Sequence, residues 1–97
     1  MAAYVIYQGE VLDPDRYEIY KEKSAASIAA AGGTYIVRGG DVEVLEGDAP
    51  AGRTVVLEFP TMQAAIDWYN SDAYTAARTL RHGAARVVSM YVIDGVS

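Results

Sequence analysis

The sequence contains no cysteine, one histidine, one phenylalanine and three prolines among its 97 residues. Without cysteine the chain can form no disulfide, no thiolate nucleophile and no cysteine metal site, and a reducing compartment suits it. The single histidine excludes a multi-histidine metal site within one chain. We therefore expect no bound metal and no cofactor.

Positive charge is also scarce, with eight basic against thirteen acidic residues and a net charge of −5. No cluster of Lys or Arg is longer than two residues, although nucleic acids and anionic membranes are bound mainly by concentrated positive charge. The longest uncharged run, residues 24–37, has fourteen residues, short of the roughly 20 that a spanning helix needs. The first ten residues lack the segments of a signal peptide. We expect a cytoplasmic protein that binds neither nucleic acid nor membrane.

The patterns that are present predict one domain over residues 1–97. Strands are predicted at residues 3–9, 34–38, 42–46, 53–59 and 85–95, where β-branched and aromatic residues concentrate. One helix is predicted from Asp13-Pro14 to Gly32-Gly33, and a second after Thr61, broken near Asn70-Ser71. The order β-α-β-(β)-β-α-β is that of the α+β ferredoxin-like split βαβ fold, with an extra hairpin strand at residues 42–46.

Strand alternation predicts which side chains leave the core, because the helices of this fold cover one face of an antiparallel sheet. In residues 53–59, the apolar set should meet the helices and the mixed set should lie on the open face. The apolar set is Val55, Leu57 and Phe59, and the mixed set is Thr54, Val56 and Glu58.

The other strands add Tyr4, Ile6 and Gln8; Thr34, Ile36 and Arg38; and Ser89, Tyr91 and Ile93 to the open face. A one-residue shift of register would invert any of these assignments. The open face is rich in Ile, Val and Tyr, so a second copy of the chain, packed sheet to sheet, should cover it and close a barrel around a pocket.

Four segments, "DPDRYEIY", "AAGGTYIVRGGDVEVLEGD", "VVLEFPTMQAAIDWYNSDAY" and "AARTLR", together resemble the bacterial family called domain of unknown function 1330. The resemblance runs through essentially the whole chain and implies the homodimer of the dimeric α/β-barrel superfamily. It implies no activity. The wider superfamily includes cofactor-independent oxygenases, haem-degrading monooxygenases, lactone isomerases and ligand-sensing modules.

Two charged residues are the main candidates for chemistry. Glu58 on a central strand could act as a general base if burial raises its pKa, or could form an ion pair with Arg38 or an interface contact. Arg38 could bind a substrate carboxylate or enolate, or could pair with Glu46 or Glu58.

Aromatic and polar neighbours complete the candidate set. Tyr4 and Gln8 should line the same pocket, and Trp68 and Tyr69 either cap it or fill the core and interface. Tyr17 and Tyr20, on the stripe of the first helix, are expected to be core residues. His82 either complements the end of a helix or serves as a ligand or base.

The run Arg38-Gly39-Gly40-Asp41 permits two interpretations. Its glycines could present backbone amides to a phosphate, or they could form a tight turn. No lysine or hydroxyl residue follows in P-loop order, which favours the turn.

Two functions follow from these residues. The first is a homodimeric barrel that takes a small, partly apolar or aromatic ligand and acts as a cofactor-independent oxygenase or isomerase. The alternative is a non-catalytic ligand-binding or stress-related accessory module. A purely structural homodimer ranks third.

Overall fold

The computed structural model describes residues 1–96, which form four strands and three helices. In chain order they are β1 (Ala3–Val11), α1 (Pro14–Ala30), β2 (Thr34–Arg38), β3 (Arg53–Phe59), α2 (Met62–Tyr69), α3 (Asp72–Arg81) and β4 (Ala85–Asp94). The strands pair antiparallel in the order β2-β3-β1-β4. This topology confirms the predicted ferredoxin-like α+β fold.

Side-chain caps start each helix where the sequence predicts. The side chains of Asp13, Thr61 and Ser71 accept hydrogen bonds from backbone amides three residues ahead, at 3.2, 3.0 and 3.2 Å. Such caps satisfy amides that have no partner within the helix. The predicted break near Asn70-Ser71 is confirmed, because α2 ends at Tyr69 and α3 begins at Asp72.

The predicted hairpin strand at residues 42–46 is wrong. Residues 40–50 contain neither helix nor strand, and Val42 and Leu45 are 54% and 89% exposed. Strand propensity depends on pairing and packing with a neighbouring strand. In the sheet, β2 is an edge strand whose one neighbour is β3, so residues 42–46 do not pair with it. Alternation in this segment therefore has no partner strand to stabilise it.

The predicted core face of β3 is confirmed. Leu57 and Phe59 are buried at 3% and 0% exposure, and Val55 packs against the same core. On the open face, Glu58 lies opposite Tyr4 on β1 and Thr34 on β2. The register of β4 likewise places Ile93 opposite Tyr4.

Arg38 does not share the open face with Glu58, contrary to the prediction. The β2–β3 register shifts between Tyr35 and Val37, so that Val37 opposes Val56 and Arg38 opposes Val55. Directly opposed residues of antiparallel strands point to the same face, and Val55 faces the helices. A single bulge therefore moves Arg38 to the helix-covered side.

Gly39 and Gly40 differ sharply in their surroundings. Gly39 has a φ of +70°, and a Cβ added there would lie 2.8 Å from the guanidinium carbon of Arg53. A Cβ added at Gly40 would meet nothing within 4 Å. Gly39 thus has a left-handed backbone where the chain bends at the end of β2, and its missing side chain leaves room for Arg53. The predicted tight turn of a hairpin is not formed, because no strand follows within residues 40–50.

We expect Gly39→Ala to lower the free energy of unfolding by about 1–2 kcal/mol, because a left-handed backbone strains any side chain. Gly40→Ala should change it by less than about 0.5 kcal/mol. Urea unfolding of both variants measures the difference. Equal losses in the two variants would contradict this account of the turn.

Candidate functional site

The candidate site is a cavity between α1 and the helix-covered face of the sheet, which we call the tyrosine cleft. Its volume is about 40 Å³, room for roughly two or three water molecules. Five tyrosines line it: Tyr7, Tyr17, Tyr20, Tyr35 and Tyr74. Three basic residues, Lys21, Arg38 and Arg53, line it as well.

Tyr7 brings a buried hydroxyl to the wall of the tyrosine cleft. Its side chain is 6% exposed, and its buried hydroxyl makes no hydrogen bond of normal geometry. The Tyr17 hydroxyl lies close enough to act as a donor toward it, which lowers the pKa of Tyr7 in part, so the O–H proton of Tyr7 itself has no acceptor. The ring lies along β1 over Gly9, where an added Cβ would be 2.7 Å from Cζ of Tyr7. Glycine two residues after Tyr7 therefore makes this ring position possible. An unpaired buried hydroxyl costs about 1–3 kcal/mol, so its occurrence requires an explanation.

Arg53 supplies a second unpaired donor. Its Nε is buried and has no hydrogen-bond partner, and its guanidinium lies 6.0 Å from the ring centroid of Tyr17. Arg38 stacks nearby, 4.2 Å from the ring of Tyr35. Both guanidinium groups are therefore positioned by aromatic rings rather than by carboxylates.

A third arginine lies behind the tyrosines. Arg81 is 7% exposed and donates a 2.9 Å hydrogen bond to the Tyr74 hydroxyl, which is 2.8 Å from the hydroxyl of Tyr20. Within residues 1–96, Arg38, Arg53 and Arg81 form no salt bridge; the ion pairs found there are Lys21–Glu18 and Arg86–Glu10. An acidic protein thus concentrates uncompensated positive charge around one cleft, which favours an anion there.

Burial raises the pKa of Tyr7, Tyr17, Tyr35 and Tyr74 above the ordinary value of 10.0. Removal from water disfavours the charged phenolate, and nearby arginines offset this only in part. At neutral pH these side chains are therefore neutral phenols, which can donate hydrogen bonds to a bound anion.

The raised pKa values predict a loss of stability at alkaline pH. Below pH 10 both the folded and unfolded chains keep these protons, so their contribution is fully present. Above pH 10 the unfolded chain releases them first, and stability falls by up to about 1.4 kcal/mol per pH unit for each such group. Urea unfolding at pH 8, 10.5 and 11 measures this. Absorbance at 295 nm provides the control: ionisation of all tyrosines near pH 10 in a chain that remains folded would contradict the prediction.

Of the site residues predicted from the sequence, Arg38 and Trp68 line the tyrosine cleft and the others lie outside it. Trp68 lines the tyrosine cleft, is 2% exposed and donates a 3.1 Å hydrogen bond to the Ser27 hydroxyl. Tyr69 stacks with Arg78 at 4.4 Å and lines a second cavity, between α2 and β4. His82 caps the end of α3 and is exposed.

Tyr4, Gln8 and Glu58 lie on the open face. The Tyr4 hydroxyl donates a 3.1 Å hydrogen bond to Oε2 of Glu58, which raises the pKa of Tyr4 by favouring its protonated form. Glu58 and Arg38 therefore lie on opposite sides of the sheet and form no common site in one chain.

The sequence patterns do not identify the central residues of the tyrosine cleft. Tyr17 and Tyr20 were expected in the core, where they do lie, but their part in a polar cavity was not foreseen. The alternation of β1 places Tyr7 on the same face as Val5, and this signal is sufficient to identify it as a residue of the helix-covered face. The orientation of Arg53 depends on the distant turn at Gly39, which no local pattern reveals.

Together, the sheet order and the helices on one face define a ferredoxin-like α+β protein with a tyrosine-lined cleft. The chain belongs to the family "Domain of unknown function (DUF1330)", whose model matches residues 2–96. No functionally curated protein matches the chain in sequence. Within the described residues, no helix has both the length and the apolar character needed to cross a membrane.

Solved structures share the fold at low sequence identity. The RPA0582 protein of unknown function from Rhodopseudomonas palustris has a TM-score of 0.69 at 17% identity, covering 99% of this chain and 83% of that one. HapK from Hahella chejuensis has a TM-score of 0.66 at 13% identity, covering 97% and 92%. Rv0793 from Mycobacterium tuberculosis has a TM-score of 0.54 at 14% identity, covering 100% and 97%. These likenesses establish the fold alone.

Proposed function

We propose that the protein binds a small organic anion, such as an aromatic carboxylate, in the tyrosine cleft. The observation that carries this proposal is the pair of buried donors without an acceptor, the Tyr7 hydroxyl and Arg53 Nε, which belong to two residues that line one cavity. A carboxylate accepts hydrogen bonds from both kinds of donor and neutralises the guanidinium charge.

The size of the cavity limits the ligand. A volume of about 40 Å³ encloses a group about as large as a carboxylate, so the ring of benzoate would lie at the mouth of the cleft, where Arg38 is exposed. Tyrosine and tryptophan rings around the carboxylate favour an aromatic or otherwise flat apolar body.

Thermal unfolding with benzoate, at constant ionic strength, tests this proposal. At ten times its Kd the ligand should stabilise the protein by about 1.4 kcal/mol, raising the Tm by about 5–10 °C in a chain of this size. Tyr7→Phe, which removes one hydroxyl, and Arg53→Met should each abolish most of the rise. Arg86→Met is the matched control, because Arg86 pairs with Glu10 on the exposed surface.

A rise in Tm that persists in both Tyr7→Phe and Arg53→Met would contradict the proposed site. Loss of the rise in Arg86→Met as well would indicate a general charge effect rather than binding in the cleft.

A catalytic use of the same donors is the second candidate. A phenol and a guanidinium without other partners can stabilise the oxyanion of an enolate, which a cofactor-independent oxygenase or isomerase requires. The C–H proton would pass to solvent water or hydroxide, because the lining of the cleft contains no carboxylate or imidazole. Deuterium incorporation at C3 of phenylpyruvate in D₂O, followed by NMR, tests this. Exchange that is faster than in buffer and is lost in Tyr7→Phe would support catalysis. Exchange at the buffer rate would indicate that the protein binds the ligand without catalysing enolisation.

We further propose that a second copy of the chain covers the open face of the sheet. The molecule measures 33 × 30 × 16 Å, so its broad face is large enough to bury the roughly 800 Å² per partner of a stable interface. Val37, Tyr91 and Ile93 are 38%, 52% and 51% exposed on that side. In such a dimer Glu58 and Tyr4 would lie between the sheets, and Glu58 is a proposed base only for a ligand held there.

A further inference from the structure

The second cavity, which we call the apolar groove, lies between α2 and β4 and has a volume of about 200 Å³. Ala65, Ile66, Tyr69 and Val92 contribute to its lining. A dry cavity of about 150 Å³ is large enough to bind benzene. The apolar groove can therefore hold at least one aromatic ring.

Three residues line both the apolar groove and the tyrosine cleft: Val5, Trp68 and Met90. Val5 and Trp68 are 4% and 2% exposed and belong to the core. Met90 is only partly buried, and its Sδ lies 3.8 Å from Nη1 of Arg81. A methionine side chain is unbranched and adapts readily to new packing, so Met90 is the part of the shared wall that can move.

Building on the proposed anion binding, we propose that the two cavities form one site for an amphiphilic ligand. The anionic group of this ligand binds Tyr7 and Arg53 in the tyrosine cleft, and its apolar body of about one aromatic ring fills the apolar groove. A short flexible linker passes Met90, whose side chain turns aside.

Size and charge both support this assignment. The tyrosine cleft alone takes only a carboxylate, while the adjacent apolar groove is about five times larger and carries no charged side chain in its lining. Arg81, buried without a carboxylate partner beside Met90, further favours negative charge at the tyrosine-cleft end of the site.

Calorimetric titration with two probes of equal charge, benzoate and 4-phenylbutanoate, tests the inference. The longer probe should bind about tenfold more tightly, because its ring and methylene groups leave water for the apolar groove. Ile66→Trp narrows the groove at a position that is 37% exposed, and it should remove this gain while leaving benzoate unaffected. Ile19→Trp is the matched control, at a 49% exposed position on α1 that lines neither cavity.

Three other outcomes would overturn the inference, and the third of them would overturn the proposed function as well. If benzoate binds through Tyr7 and Arg53 but 4-phenylbutanoate binds no more tightly, the inference fails and the proposed function stands. If 4-phenylbutanoate binds and responds to Ile66→Trp but not to Tyr7→Phe or Arg53→Met, the groove is a separate site and the inference again fails. If neither probe binds, the proposed function and the inference fail together.

Discussion

Trp68→Ala is expected to lower the free energy of unfolding by about 3–5 kcal/mol. Trp68 is 2% exposed and lies at the centre of an aromatic cluster, with ring centroids of Tyr74 and Phe59 at 4.1 and 5.3 Å. Its indole N–H donates to Ser27, whose hydroxyl in turn donates to the Ser24 carbonyl at 2.7 Å. Alanine would leave a large cavity where α2, α3 and the sheet meet.

Chemical denaturation and calorimetry measure this loss. Domains of this size are stable by about 5–15 kcal/mol, so the variant should melt at least about 15 °C lower. Trp68→Phe keeps a ring and loses the indole N–H, and we expect it to cost about 1–2 kcal/mol. A cost below about 1 kcal/mol for Trp68→Ala would show that this residue is not a central element of the core.

Ile93→Glu is expected to convert the proposed homodimer into a monomer at micromolar concentration. Ile93 is 51% exposed and pairs across strands with Tyr4, whose hydroxyl binds Glu58. A new carboxylate there would be desolvated between two sheets and close to like charges from Glu58, a cost of several kcal/mol. Such a loss weakens association by about 100-fold or more.

Sedimentation velocity distinguishes the species, since each chain has a mass of 10.4 kDa. Ile19→Glu, at a 49% exposed position on α1, introduces the same charge on the helix side and should remain dimeric. A native protein that sediments as a monomer would remove the dimer proposal. So would an Ile93→Glu variant that still sediments as a dimer.

The fold was predictable because its signals are local and agree with one another. Capping residues at Asp13, Thr61 and Ser71 mark helix starts, and the alternation of β3 correctly separates Leu57 and Phe59 from Glu58. The prediction of a strand at residues 42–46 failed because alternation shows only that a segment is compatible with a strand, and this segment does not pair with the outer edge of β2.

The candidate site was less predictable because it depends on non-local geometry. One bulge between Tyr35 and Val37 reverses the face of Arg38 and separates it from Glu58. The cleft itself requires Gly9 beneath Tyr7 and Gly39 beneath Arg53, and the second of these close approaches joins distant parts of the chain. The sequence shows which tyrosines and arginines are present, but it does not show that they meet in one cavity.

The central claim is that Arg53 and Tyr7 bind an anion inside the tyrosine cleft. NMR titration of ¹⁵N-labelled protein with benzoate, following the Nε–Hε signal of Arg53, tests it most directly. Loss of that signal in Arg53→Lys assigns it. We predict a saturable shift of the Arg53 signal, with the signal of the surface residue Arg86 unchanged. An Arg53 signal that stays fixed while benzoate perturbs other regions, or an absence of any saturable change, would contradict the claim.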